Sequence, residues 1–222
     1  MNTTRRRRDE TLNAVAEDVV ALVAHGVTRV AIDGVDGAGK TVFADELAAV
    51  LQARRLAVIR ASVDGFHNPS SIRHGRGRTS PDGFYRDSYD YDALRRLLLD
   101  PLDVHGDRRI VRKVYDVHDE RPVPHTVEIA SAPSVLVFDG IFLHRPELRD
   151  YWHYSVFLDV EFSVSVPRVA QRDGSDPDPA AESNSRYVDG QRQYLRTCDP
   201  RQHATVVIDN NDFMRASITR RK

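Results

Sequence analysis

The stretch VAIDGVDGAGKT, residues 30–41, limits the folds open to this chain more than any other. An apolar run, 30–32, leads into GVDGAGKT, which fits Gly-x-x-x-x-Gly-Lys-Ser/Thr, and a helical pattern follows. Gly34, Gly37 and Gly39 let the backbone curl so that successive N–H groups point inward, and the helix that opens there adds the positive end of its dipole. Lys40 brings a mobile cation and Thr41 a hydroxyl for Mg²⁺. The motif predicts a nucleotide-phosphate site made by Gly34, Asp36, Gly37, Ala38, Gly39, Lys40 and Thr41. A purely structural Gly-rich turn is the competing reading.

Apolar spacing organises the rest. Leu12, Val15, Val19, Leu22 and Val23 recur at helical intervals over 9–25, closed by Gly26, and Val42, Phe43, Leu47, Val50 and Leu51 do so over 41–54. Short apolar runs at 56–63, 134–138, 154–158 and 205–208 read as strands. With the first run they predict a doubly wound α/β fold, a mainly parallel five-stranded sheet with helices on both faces. The length, 222 residues, suits a single domain over 1–222. Three segments interrupt the rhythm: 68–87, rich in Gly, Ser, Pro and Arg; 103–129, which holds KVYDVHDERPV and reads as a hairpin insertion; and the acidic, proline-containing loop 173–185. Arg5, Arg6, Arg7 and Arg8 read as part of a flexible, solvated tail over 1–8.

Composition excludes several partners. Lys and Arg total 32 against 33 for Asp and Glu, so nothing in the charge balance calls for nucleic acid or an anionic membrane. No apolar run approaches the roughly 18 residues of a membrane span. The lone cysteine, Cys198, has no partner for an internal disulfide, and a reducing, cytoplasmic setting is expected.

The phosphate loop does not say what becomes of the phosphate. An N-K-x-D guanine motif and an ABC-type signature are both missing, which turns the expectation toward a small-molecule kinase. Such an enzyme needs a carboxylate near the acceptor hydroxyl. Asp64, where the second strand ends in SVDGFHNP, meets that need, although Asp64-Gly65 also suits a plain strand-ending turn. Asp139, closing SVLVFDG, stands where a Walker-B acid would contact Mg²⁺, with turn chemistry beside Gly140 as the alternative. Arg168 and Arg172 fall one helical turn apart in RVAQRD and can face one crevice.

GVDGAGKT, VDGFHNPSSIRHGRGRTSPDGFYRDSYDYDAL, KVYDVHDERPV, VLVFDGIFL and RVAQRD together resemble the uridine kinase and phosphoribulokinase family, in particular its bacterial uridine-kinase-like branch. The similarity runs in the same order over about 30–212. It implies a P-loop kinase fold with a lid at 173–185 and substrate-side insertions at 68–87 and 103–129, using ATP and Mg²⁺. It implies Asp64 as catalytic base and Lys40, Arg168 and Arg172 as groups that neutralise the transferring phosphoryl. Tyr115 and His118 correspond to the family's base-contacting segment, and Phe66, His67, Tyr85, Arg86, Arg186 and Gln191 are further candidate acceptor contacts. VVIDNNDF resembles the strand and loop that flank the adenine.

Two departures bear on the acceptor. DGFYRDSYD stands where uridine kinases carry an F-D-H-P-type stretch, and the lid DGSDPDPAAESNS lacks the usual further arginines. DGF followed by S-Y-D is also similar to pantothenate kinases. The expectation is transfer of the γ-phosphoryl group to the 5′-OH of a pyrimidine nucleoside, with pantothenate or another small alcohol as the rival acceptor. A P-loop regulatory protein is the rival of another class. A homo-oligomer is compatible with the sequence.

Overall fold

The computed structural model describes residues 3–222, with side chains from Arg7 onward. Helix α1 (Thr3–Leu22) buries Leu12, Val15, Ala16 and Val19 on one face. Strand β1 (Val27–Gly34) is buried along its whole length, as a central strand covered on both sides must be. Helix α2 (Lys40–Ala53) turns Phe43, Ala44, Leu47, Ala48 and Leu51 inward, while Val42 faces solvent. After β2 (Val58–Ser62) come three short helices, α3 (Ser70–Arg73), α4 (Pro81–Asp87) and α5 (Tyr91–Leu94). Four two-residue strands follow: β3 (Arg109–Ile110), β4 (Tyr115–Asp116), β5 (Arg121–Pro122) and β6 (Glu128–Ile129), with β3 paired to β6 and β4 to β5. The chain then runs through β7 (Ser134–Gly140), β8 (Tyr154–Asp159), α6 (Phe162–Asp173), α7 (Ser185–Cys198), α8 (Pro200–His203), β9 (Val206–Asp209) and β10 (Ser217–Arg221).

The main sheet has the order β10-β9-β8-β1-β7-β2, with β10 alone antiparallel. Alternation along the strands divides the core. Val30, Ile32, Val135 and Val137 point toward α1 and α2, where they meet Phe43 and Leu47. Ala31, Leu136 and Phe138 point the other way, onto Phe66, Leu98 and Phe142. Each buried aromatic or leucine of this kind contributes about 1.5–3 kcal/mol. The chain leaves β1 toward one side of the sheet and leaves β7 toward the other. The carboxyl end of β1 is therefore the switch point, where the crevice of a doubly wound sheet opens.

Three expectations are corrected. The sheet has six strands: β10 carries Ile218 amid polar and charged neighbours, too little apolar pattern to be read as a strand. Segment 68–87 is not a plain loop, because it contains α3 and α4. Within 103–129, KVYDVHDERPV forms the expected hairpin of β4 with β5, and a second ladder, β3 with β6, closes the insertion around it. Residues 1 and 2 of the expected tail lie outside the described residues, but from Thr3 the backbone is helical and Arg8 is buried. Among the described residues, no helix is long and apolar enough to cross a membrane.

Candidate active site

The phosphate loop leaves β1 at Gly34 and enters α2 at Lys40. Gly37 and Gly39 hold left-handed φ values of 74° and 88°. A Cβ on Gly39 would lie 2.3 Å from the Phe213 ring, so the aromatic side chain rests directly on the loop. No side chain caps α2, which leaves the N–H groups of its first turn directed at the crevice. Lys40 Nζ donates to the Val35 carbonyl at 2.9 Å and stands 3.9 Å from Asp36. Burial raises the pKa of the Asp36 carboxyl, with the Lys40 charge opposing and Asp64 reinforcing the shift.

Thr41 Oγ1 donates to Asp139 Oδ2 at 2.7 Å, and Arg60 Nη2 donates to Oδ1 at 2.9 Å. Strand pairing sets this up, because β2 and β1 flank β7 and bring Arg60, from β2, and the loop end to the same carboxylate. Asp64 follows β2 in a short 3₁₀ turn. Its side chain is exposed, and Oδ1 accepts from the Tyr89 hydroxyl at 3.3 Å. The His67 ring packs on Tyr89 at 4.6 Å between centroids, with Nδ1 3.0 Å from the Asp64 carbonyl. Desolvation first, and the Asp64 charge second, push the Tyr89 phenol well above its usual range, so it remains a proton donor.

A cavity of about 350 Å³ joins these groups: Asp36, Lys40, Thr41, Asp64, Tyr89, Asp139, Arg168, Arg172 and Phe213 all line it. A larger hollow of about 620 Å³ opens at the other end of β1, beside His25, Asp103 and His153, and none of the predicted site residues reaches it.

Arg168 reaches the cavity but is heavily engaged. Its guanidinium donates to the carbonyls of Gly37, Asn210 and Asn211 at 3.4, 3.2 and 2.6 Å and lies 3.8 Å above the centre of the Phe213 ring. It ties the phosphate loop to the loop after β9. Arg172, one turn on, keeps 72% of its side chain exposed and stands 3.8 Å from Asp173.

Several predicted acceptor contacts lie outside the lining of this cavity. Phe66 is fully enclosed in the core. Tyr85 is buried, with its hydroxyl 3.1 Å from Cys198 Sγ and its ring edge-on to Phe142. Arg186 is buried and gathers the carbonyls of Arg73, Gly77, Arg78 and Ser80, which fixes the bend of the segment before α4. Gln191 spends its amide on Tyr187 and accepts the Asp36 N–H at 2.6 Å, so α7 holds the phosphate loop from above. Arg86 is an exposed partner of Asp82 at 2.6 Å. Tyr115 donates to Glu120 at 3.1 Å and His118 is exposed, and neither lines the cavity. Their ladder is nonetheless joined to the residue after Asp64, because the Val114 N–H donates to the Gly65 carbonyl at 2.8 Å.

Beneath the loop lies a cluster that the apolar pattern hides. Asp33, fully buried, accepts the Gly34 N–H at 2.7 Å on one oxygen; on the other it meets His144 Nδ1 at 2.6 Å and the Tyr194 hydroxyl. Desolvation and then the Asp33 charge raise the Tyr194 phenol well above its normal range. An acid ending the strand VAID was the available signal; its partners lie more than a hundred residues away.

A parallel α/β sheet with a glycine-rich loop at its switch point, facing an acid across one cavity, defines a P-loop kinase. The chain belongs to the phosphoribulokinase / uridine kinase family, whose model matches residues 30–205, and is thus a phosphotransferase acting on a hydroxyl group. It is 25% identical to a uridine kinase of Ligilactobacillus salivarius over 175 residues, 78% of this chain and 76% of that one. Its fold is similar to a structure described as a possible uridine kinase from Bacillus stearothermophilus (TM-score 0.72, 22% identity, 91% and 97% of the two chains). It is also similar in fold to a D-glycerate 3-kinase from Cryptococcus neoformans (TM-score 0.56, 13% identity, 90% of each chain).

Proposed function

We propose that the chain transfers the γ-phosphoryl group of ATP to the 5′-OH of a pyrimidine nucleoside, with Asp64 as the base. The observation that carries this reading is the shared cavity in which the Asp64 carboxylate, held by Tyr89, faces Lys40 and the loop. Asp64 takes the proton of the acceptor hydroxyl as its oxygen bonds to the γ-phosphorus; the bond to the β–γ bridging oxygen breaks and ADP leaves. The loop amides and Lys40 hold the phosphates, and Arg172 meets the charge that develops on the transferring group.

Thr41 and Asp139 offer two oxygens 2.7 Å apart at the head of α2, which suits Mg²⁺ completing its shell with phosphate oxygens and water. Bound there, the ion would supply charge neutralisation between the β- and γ-phosphates. Arg60, 2.9 Å away, orients the Asp139 carboxylate.

One observation favours a second acceptor class, pantothenate or another small alcohol: Tyr115 and His118 stand outside the cavity, so nothing aromatic on the ladder faces Asp64. A panel of uridine, cytidine, pantothenate and simple sugar alcohols, assayed for acceptor-dependent ADP release, separates the two. Asp64→Asn should then keep ATP binding and lose transfer by about 10²–10⁴-fold. Normal transfer by this variant would end the reading of Asp64 as base.

A further inference from the structure

Arg8 lies on α1, outside the stretch that matches the family model, yet it is among the most connected side chains near the phosphate loop. It is 6% exposed. Nε donates to Glu46 of α2 at 2.8 Å, and Nη2 stands 2.6 Å from the same carboxylate oxygen. Nη1 donates to Asn210 Oδ1 at 3.2 Å and to the Phe213 carbonyl at 2.9 Å. Both acceptors lead straight to the loop. Asn210, fully buried, donates through Nδ2 to the Ala38 carbonyl at 2.7 Å, and the Phe213 ring covers Gly39 and faces the cavity beneath Arg168.

We propose that Arg8 is a positioning residue for the nucleotide site: it sets the Asn210–Phe213 loop against the phosphate loop and so fixes the aromatic floor of the cavity. The inference rests on the reading of that cavity as the ATP site. A fixed cation suits the task, because a guanidinium can hold a carboxylate on one side and two neutral oxygens on the other in one plane. Merely docking α1 does not require it. Leu12, Val15 and Val19 pack in the core, Thr11 Oγ1 donates to the Ala216 carbonyl at 2.8 Å, and Asp18 accepts from Tyr154 at 2.7 Å.

The test compares Arg8→Met, Thr11→Val, Phe213→Ala and the double variant Arg8→Met/Phe213→Ala in the full-length chain. Affinity for Mg²⁺ and the nonhydrolysable ATP analogue AMP-PNP is read by calorimetry, and Tm alongside. Arg8→Met should weaken analogue binding about tenfold, as expected for loss of charge-assisted hydrogen bonds, and raise the KM for ATP by a similar factor. Thr11→Val, which frees the same helix from Ala216 without touching the Arg8 contacts, should lower Tm and leave analogue affinity alone. If Arg8 acts through Phe213, the double variant should bind within about twofold of Phe213→Ala alone. An Arg8→Met variant that loses Tm but keeps its affinity would overturn the proposal, as would effects that multiply in the double variant. A wild-type chain that binds no AMP-PNP would remove the ATP reading along with this one, whereas normal wild-type binding untouched by Arg8→Met removes this one alone.

Discussion

Gly37→Ala separates the backbone strain of the phosphate loop from its packing. Gly37 sits at φ 74°, and a Cβ there would lie 2.2 Å from the Ser165 carbonyl oxygen and 3.1 Å from Val169 Cγ2. Both neighbours are on α6, and the first is main chain, so no rotamer change relieves the contact. Gly174, which ends α6 at φ 77°, has nothing within 4 Å of its would-be Cβ and supplies the control. Placing an L-residue in the left-handed region costs about 1–2 kcal/mol. Gly174→Ala should cost that alone, a fall in Tm of about 2–8 °C at about 2–4 °C per kcal/mol. Gly37→Ala adds overpacking of about 1–3 kcal/mol, for a total near 2–5 kcal/mol. The cheapest relief is a shift of α6 away from the loop, which draws Arg168 off the carbonyls of Gly37 and Asn211. AMP-PNP affinity should therefore fall at least about tenfold in Gly37→Ala and stay unchanged in Gly174→Ala. Thermal melts and calorimetric titrations of the two variants decide it. Equal melting losses with equal analogue affinity would refute the claim that α6 is seated on the loop through Gly37.

Lys40→Ala should leave the melting curve intact, because among the described residues the ammonium bonds within its own loop, and, on the proposed ATP site, reduce turnover by about 10²-fold or more; steady-state kinetics with ATP check this. If the β4–β5 ladder closes over a nucleobase, His118→Ala should raise the nucleoside KM about three- to tenfold and leave the ATP KM unchanged. Unchanged values for both would point the search for acceptor contacts to His67 and Tyr89. Asp116 is held down to about 2 from its ordinary 3.8 by Lys113 and the Asp119 and His118 amides. Its contribution to ladder stability should thus be complete above pH 3.8 and disappear as the pH falls toward 2, a change that hydrogen exchange across that window detects and that Asp116→Asn abolishes.

The fold was legible where periodicity and burial coincide. β1 and β7 are apolar runs because they are covered on both faces, and α2 follows its glycine loop with Phe43, Leu47 and Leu51 on one side. β10 was not legible, since an edge strand closing the sheet next to β9 needs backbone bonds rather than apolar side chains. The arginine run misled for a related reason. Charge density suggests solvent, but Arg8 points inward while Arg7 is exposed, and what makes Arg8 tolerable there is a carboxylate on α2 and oxygens some two hundred residues away.

The site divides along the same line. Groups that act through backbone geometry, the glycine loop, Lys40, Thr41 and the acids that end β2 and β7, are encoded locally and fall together as the motif requires. Residues recruited from the second half of the chain show only as polar letters in helices, and a polar letter does not reveal whether it faces solvent, ligand or protein. Arg186, Gln191 and Tyr194 all sit on the inner face of α7 and all spend their hydrogen bonds on protein: the segment before α4, the Asp36 amide and the Asp33 carboxylate. Helix α7 therefore links the segment before α4 to the phosphate loop and the end of β1 through three buried polar residues. A substitution at any of them disturbs the seating of α7, so loss of activity there is no evidence of contact with substrate.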